Sequence, residues 1–77
     1  MLVTIKLNTE EDILDFVNIT RSYKAPIDLI KYHHGVDAKS IMGVIALGVY
    51  EQVEVELISA NEDDILRFAK DMERFRV

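Results

Sequence analysis

Strict alternation in the last third of the chain constrains the fold more than any other sequence feature. Val53, Val55 and Leu57 alternate with Glu54 and Glu56, which predicts a β-strand with one buried face and one charged face. Such a strand must pack its apolar face against other elements while its charged face meets water. The chain is therefore expected to form a sheet that is covered on one side only.

Periodicity along the whole chain predicts four strands and three helices in the order βαββαβα. The strands are expected at residues 2–7, 26–32, 35–37 and 53–58, and the helices at 10–22, 41–47 and 62–75. Each helix carries one apolar stripe, and the strands offer apolar faces to receive the stripes. The predicted fold is α+β, an antiparallel four-stranded sheet with three helices on one face, in a single domain over residues 1–77.

Each predicted helix begins after a residue that is typical of an N-cap. Thr9, Ser40 and Asn61 stand at these positions, and their side chains are suited to accept a hydrogen bond from an N–H of the first turn. Asp12 stands where the acid of a capping box is expected. Gly48 follows the second helix directly, as a C-cap glycine does.

Composition and charge exclude several classes of function. The chain has 77 residues and no cysteine, so disulfides, thiolate zinc sites and cysteine nucleophiles are ruled out. The formal net charge of −5 opposes direct binding to nucleic acid or to an anionic membrane. No apolar run approaches the ~18 residues of a membrane span, and the chain does not open like a signal peptide. A cytoplasmic location is therefore expected.

The polar residues offer no strong catalytic or metal site. His33 and His34 are adjacent in a predicted turn, where their side chains should point in different directions. We interpret them as solvated turn residues, with weak metal binding as the alternative. Carboxylate pairs such as Glu10 and Glu11 open helices, where they compensate the helix dipole. No enzymatic activity, metal or cofactor is predicted for this chain.

The segment around the second predicted helix resembles a known family. It reads Lys39-Ser40-Ile41-Met42-Gly43-Val44 and is followed by Leu47-Gly48. This segment is similar to the regulatory-serine segment of HPr, the small phosphocarrier of the bacterial phosphoenolpyruvate sugar phosphotransferase system. The likeness extends over essentially the whole chain, and Tyr23 and Ala25 fall where HPr sequences have similar residues. It implies the HPr open-faced β-sandwich.

The resemblance places the phosphoryl-accepting histidine of the family at Thr9 and its partner arginine at Glu11. The family motif is Gly-hydrophobic-His-Ala-Arg-Pro, and none of the six residues from Leu7 to Asp12 matches it. Because Glu10 and Glu11 would repel a phosphate at the helix start, the chain is expected not to accept phosphate from enzyme I. Loss of the histidine resembles Crh, the catabolite-repression paralogue of HPr, although Crh-type proteins generally keep the arginine.

The resemblance also implies a regulatory role for Ser40. In Gram-positive relatives this serine is the target of HPr kinase/phosphorylase, and Lys39 supplies a neighbouring cation. The residues at the positions of Ile41, Met42 and Ile45 form an apolar docking patch in the family. The alternatives are that Ser40 is only a helix cap, and that Met42 and Ile45 are tucked under a neighbouring loop.

Two functions of different classes follow. The first is a regulatory protein that is phosphorylated on Ser40 by an HPr kinase/phosphorylase-like serine kinase and then binds a catabolite control transcription regulator or another protein. The second is an interaction module that is not phosphorylated and docks through its helix patch. Either form is expected as a monomer or a homodimer.

Overall fold

The computed structural model describes residues 1–48 and 50–77 and confirms the predicted order of elements. The strands are β1 (Leu2–Ile5), β2 (Ile27–Lys31), β3 (His34–Asp37) and β4 (Val53–Leu57). The helices are α1 (Glu10–Arg21), α2 (Ile41–Leu47) and α3 (Glu62–Met72), and a 3-10 turn follows at Glu73–Phe75. No helix within the two described ranges is long and apolar enough to cross a bilayer.

The four strands form one antiparallel sheet in the order β1-β4-β2-β3. Helix α1 connects β1 to β2, which lie on either side of β4. Helix α2 connects the edge strand β3 to the central strand β4. Val55 lies opposite Val3 on one side and opposite Leu29 on the other. All three side chains are buried, so one face of the sheet carries a continuous apolar row.

The core lies between this apolar face and the helices. Its fully buried side chains include Ile5, Leu7, Phe16, Leu29, Val44, Val55, Phe68 and Met72. Phe16 on α1 packs edge-to-face against Phe75, with ring centroids 5.7 Å apart. This contact joins the first helix to the end of the chain.

Two element ends differ from the prediction by more than one residue. The first strand was expected to run to residue 7 but ends at Ile5, because Ile5 pairs with Val53, where β4 begins. The last helix was expected to run to residue 75, but its α-helical part ends at Met72. The 3-10 turn that follows places Phe75 in the core.

All three predicted N-caps are confirmed. The N–H groups of Asp12, Gly43 and Asp64 donate to the side-chain oxygens of Thr9, Ser40 and Asn61 at 3.0, 3.2 and 3.1 Å. The carboxylate of Asp12 accepts a 3.0 Å hydrogen bond from the N–H of Asn8. In a capping box the acid would instead accept from the N–H of the N-cap residue itself, which here is Thr9.

The turn between β2 and β3 has the predicted length but lies one residue earlier than predicted. Tyr32 and His33 form it, and His34 already belongs to β3, whereas the prediction placed both histidines in the turn. Tyr32 has φ = 57°, in the left-handed region that short hairpin turns favour. Both histidines are exposed, and the described residues contain no group of three or more His, Asp and Glu side chains placed to hold a metal ion.

Candidate functional site

Ser40 is fixed by hydrogen bonds on both sides. Asp37 accepts from the N–H of Lys39 through its carboxylate at 2.9 Å and from the N–H of Ser40 through its carbonyl at 3.0 Å. The Ser40 hydroxyl accepts from Gly43 N at 3.2 Å. A Cβ at position 43 would lie 3.4 Å from Ser40 Oγ, so the glycine leaves space beside the hydroxyl. Ser40 is half-buried, and its hydroxyl has a defined position at the start of α2.

The cation predicted beside Ser40 is bonded elsewhere. Lys39 Nζ donates to the backbone carbonyl of Tyr23 at 2.6 Å. Arg21, on the last turn of α1, donates through Nε to the backbone carbonyl of Lys39 at 2.9 Å. This contact places a guanidinium next to the peptide group that joins Lys39 to Ser40. Sequence reasoning missed Arg21, because only the packing of α1 against this turn brings it there.

The apolar patch on α2 is partly solvent-exposed. Met42 is 74% exposed and Ile45 is 54% exposed, so the alternative that a loop covers them is wrong. Ile41 is half-buried and packs against the core. The patch therefore offers two exposed side chains and the edge of a third.

A groove between α1 and α2 continues this patch toward the start of α1. It encloses about 310 Å³ and is lined by Glu10, Ile13, Leu14, Ile41, Ile45 and Tyr50, and is here called the α1–α2 groove. Leu14 and Tyr50 are each about half exposed. Sequence reasoning missed both residues. The available signal was that Leu14 is apolar but lies off the buried stripe of its helix.

The start of α1 is acidic and solvent-exposed. Thr9 and Glu11 are both exposed, and Thr9 Oγ1 accepts from the N–H of Asp12. Arg74 Nη2 lies 4.0 Å from Asp12 Oδ1 and 2.9 Å from Asp15 Oδ2, further along the same helix. The first turn thus uses an N–H for its own cap and carries three carboxylates.

Comparisons with known proteins identify the family. A family model described as the PTS HPr component phosphorylation site matches residues 13–73. The chain belongs to the HPr family. The crystal structure of HPr-C-His from Thermoanaerobacter tengcongensis is similar to this structure with a TM-score of 0.76 and 25% sequence identity. That alignment covers 96% of this chain and 91% of the other. No curated protein matches the chain.

The family assignment confirms the predicted HPr-like open-faced sandwich. The match begins at Ile13, and therefore Thr9 and Glu11 lie before the matched residues. Ser40 and the α2 patch lie within them. The family match thus covers the α2 segment and α1 from Ile13 onward, but it does not cover the first turn of α1.

Proposed function

We propose that this HPr-family chain is a regulatory protein without histidine phosphocarrier activity, which acts through phosphorylation of Ser40 and protein binding in carbon-source control. The observation that carries the proposal is the position of Ser40. Its hydroxyl is held at the start of α2, and the exposed side chains of Met42 and Ile45 lie within the next two turns. A modification at Ser40 would therefore change the charge beside an apolar surface.

The start of α1 supports the part of the proposal that concerns histidine. Thr9 has no imidazole, and the exposed carboxylate of Glu11 stands where a guanidinium would be needed to pair with phosphate. The two histidines of the chain lie at residues 33 and 34, in and beside the β2–β3 turn. A phosphoryl group on an imidazole would thus have no helix start to stabilise it.

The proposed modifying partner is an HPr kinase/phosphorylase-like serine kinase, which requires ATP and so a cytoplasmic location. Phosphorylation adds a charge of about −1.5 to −2 at pH 7. Arg21 lies beside the preceding peptide group, whereas Lys39 must leave the carbonyl of Tyr23 before it can pair with the phosphate. The docking surface comprises Lys39, Ile41, Met42 and Ile45, and the proposed reader is a catabolite control regulator or another protein.

A second candidate function is an HPr-fold interaction module that is not phosphorylated. The bond from Lys39 Nζ to the Tyr23 carbonyl favours it, because this bond removes the nearest cation in sequence from Ser40. The acidic first turn of α1 also favours it, because Glu11 has the opposite charge to the arginine that the resemblance places at this position. In this function the α2 patch binds its partner while Ser40 stays unphosphorylated.

Incubation with an HPr kinase and ATP, read by intact mass, tests the proposal. The wild type should gain the mass of one phosphate, and Ser40→Ala should gain none. Thr9→Ala is the matched control, because it removes a second hydroxyl that caps a helix. Each substitution should cost about 1 kcal/mol of stability and leave the fold intact. If the kinase modifies a genuine HPr in the same tube but not this chain, the interaction module is the better account.

A further inference from the structure

Among the described residues that line the α1–α2 groove, the only charged side chain is a carboxylate. Glu10 lines it directly, beside five apolar or aromatic residues. Glu10 and Glu11 stand four and three residues before Leu14, and this spacing puts both acids next to Leu14 on the helix surface. Both acids are exposed, and none of the ion pairs among the described residues involves either of them.

Ammonium groups near the two ends of α2 are bonded away from this rim. Lys39, before α2, donates to the carbonyl of Tyr23 at 2.6 Å. Lys31 donates to the carbonyl of Gly48, the C-cap of α2, at 2.9 Å and pairs with Glu51 at 3.1 Å. The groove is therefore an apolar depression with an acidic rim.

We propose that the α1–α2 groove binds a basic protein partner. The partner inserts one apolar side chain between Leu14, Ile45 and Tyr50 and places Arg or Lys against Glu10 and Glu11. We choose a basic partner because its positive charges complement the acidic rim of the groove. In protein interfaces, a large apolar side chain buried at the centre provides most of the affinity, and charged residues at the rim provide specificity. The inference rests on the proposed function only in assigning protein binding to the α2 surface.

Phosphorylation of Ser40 would strengthen the attraction of this surface for a basic partner, as the acidic rim does. Ser40 directly precedes Ile41, which lines the groove. A phosphate there would add negative charge to a surface that is already acidic. The basic partner is thus bound in the unmodified state and is bound more tightly after modification.

Binding of two matched peptides to the unphosphorylated protein tests the proposal. One is an amphipathic helical peptide of Leu and Lys, and the other has Glu at every Lys position. In amide NMR spectra of the labelled protein, the Lys peptide should shift the signals of Leu14, Ile45 and Tyr50. The Glu peptide should shift none of them. Equal binding of the two peptides would overturn the proposal, as would shifts by the Lys peptide that map to another surface.

Paired variants separate the groove from general attraction to an acidic protein. Glu10→Lys should weaken binding of the Lys peptide by about fivefold, whereas Glu62→Lys should leave it near the wild-type value. Both acids are exposed at the first position of a helix, so the two substitutions reverse the same charge and disturb the helix dipole equally. An equal loss in the two variants would show that net charge alone drives binding and would overturn the proposal.

The apolar part of the groove is tested in the same way. Leu14→Ser should abolish the localised shifts, while Leu66→Ser, which changes a leucine that is 71% exposed on α3, should preserve them. Thermal unfolding confirms that each variant is folded. Concentration-dependent shifts at Leu14 and Ile45 without peptide would assign the groove to a second copy of the chain and overturn the proposal. Because the protein is unphosphorylated throughout, a failed kinase assay leaves this test unaffected.

Discussion

The phenolic hydroxyl of Tyr23 donates a 2.7 Å hydrogen bond to Asp71 Oδ2, which joins the end of α1 to α3. Tyr23 is almost fully buried, and its ring meets that of Phe68 edge-on at 5.9 Å between centroids. The guanidinium carbon of Arg67 lies 4.0 Å from the centroid of the Tyr23 ring. Burial, together with the hydrogen bond and the charge of Asp71, raises the pKa of Tyr23 far above its ordinary value of 10.0.

This raised pKa predicts a loss of stability in alkali. In the unfolded chain Tyr23 loses its proton near pH 10, whereas in the folded protein it keeps the proton to higher pH. Its contribution is therefore complete below pH 10 and is lost as the pH rises through the folded pKa. Tyr23→Phe should lower the free energy of unfolding by about 1–2 kcal/mol at pH 7 and should flatten the decline above pH 10.

Urea unfolding at intervals from pH 7 to 11 measures both effects. Tyr32→Phe is the control, because Tyr32 is 82% exposed and should follow the wild type across the range. A decline of the Tyr23→Phe variant parallel to that of the wild type above pH 10 would contradict the role given to this hydroxyl.

Three carboxylates lie in one row on the open face of the sheet. Glu56 is opposite Asp28, and Asp28 is opposite Asp37 on the next strand. Like charges directly opposite one another destabilise a sheet. Glu56→Gln should therefore raise the free energy of unfolding by about 0.5 kcal/mol in low salt, and added salt should reduce this gain by screening the repulsion in the wild type.

Glu54→Gln is the matched control for the acidic row. Glu54 lies on the same face of the same strand, but its neighbours across the sheet are Thr4 and Ile30. Urea unfolding at two salt concentrations should show a smaller, less salt-dependent change for this variant. Equal stabilisation by the two substitutions would mean that the net charge of the protein, and not the row, is responsible.

Gly48 ends α2 in a conformation that other residues adopt at a cost. Its φ is 79°, and a Cβ there would lie 3.3 Å from Lys31 Nζ, which bonds to the Gly48 carbonyl. Gly48→Ala should lower the free energy of unfolding by about 1–2 kcal/mol. Gly35→Ala should change it little, since the nearest atom to its added Cβ is 4.0 Å away. Thermal unfolding of the two variants compares these costs, and equal shifts would contradict the explanation.

The sequence was sufficient to predict the fold because its local signals agree with one another. Alternation in β4 identifies the buried face of the sheet, and Thr9, Ser40 and Asn61 mark the helix starts that the structure has. These signals are local, because each depends only on residues that are close together in the sequence. The order of the strands in the sheet was not predicted. It depends on long-range pairing between strands, which local patterns in the sequence do not specify.

The site was less predictable, for a physical reason. Ser40 and the exposed α2 residues could be read from one segment, but the partner of Lys39 is a carbonyl 16 residues earlier in the chain. Leu14 and Tyr50 are 36 positions apart and meet at the groove only through packing of α1 against α2. Contacts of this kind leave no periodic trace in the sequence.

The last prediction concerns the phosphorelay. With phosphoenolpyruvate and enzyme I, the wild type should gain no acid-labile phosphate, because Thr9 has no imidazole to accept it. Thr9→His alone should gain little, since Glu11 is an exposed acid where a cation must pair with the phosphate. Adding Glu11→Arg should increase transfer, because a guanidinium then replaces a repulsive carboxylate at the same helix start.

Intact mass and acid lability of the product measure this transfer. His33→Gln and His34→Gln are included in every variant to exclude the two exposed histidines of the β2–β3 hairpin. The comparison isolates the charge at position 11, because the imidazole introduced at position 9 is the same in both variants. Equal transfer with and without Glu11→Arg would mean that this charge does not control the site. Efficient phosphorylation of the wild type on His33 or His34 would place the accepting group in the β2–β3 hairpin instead of at the start of α1.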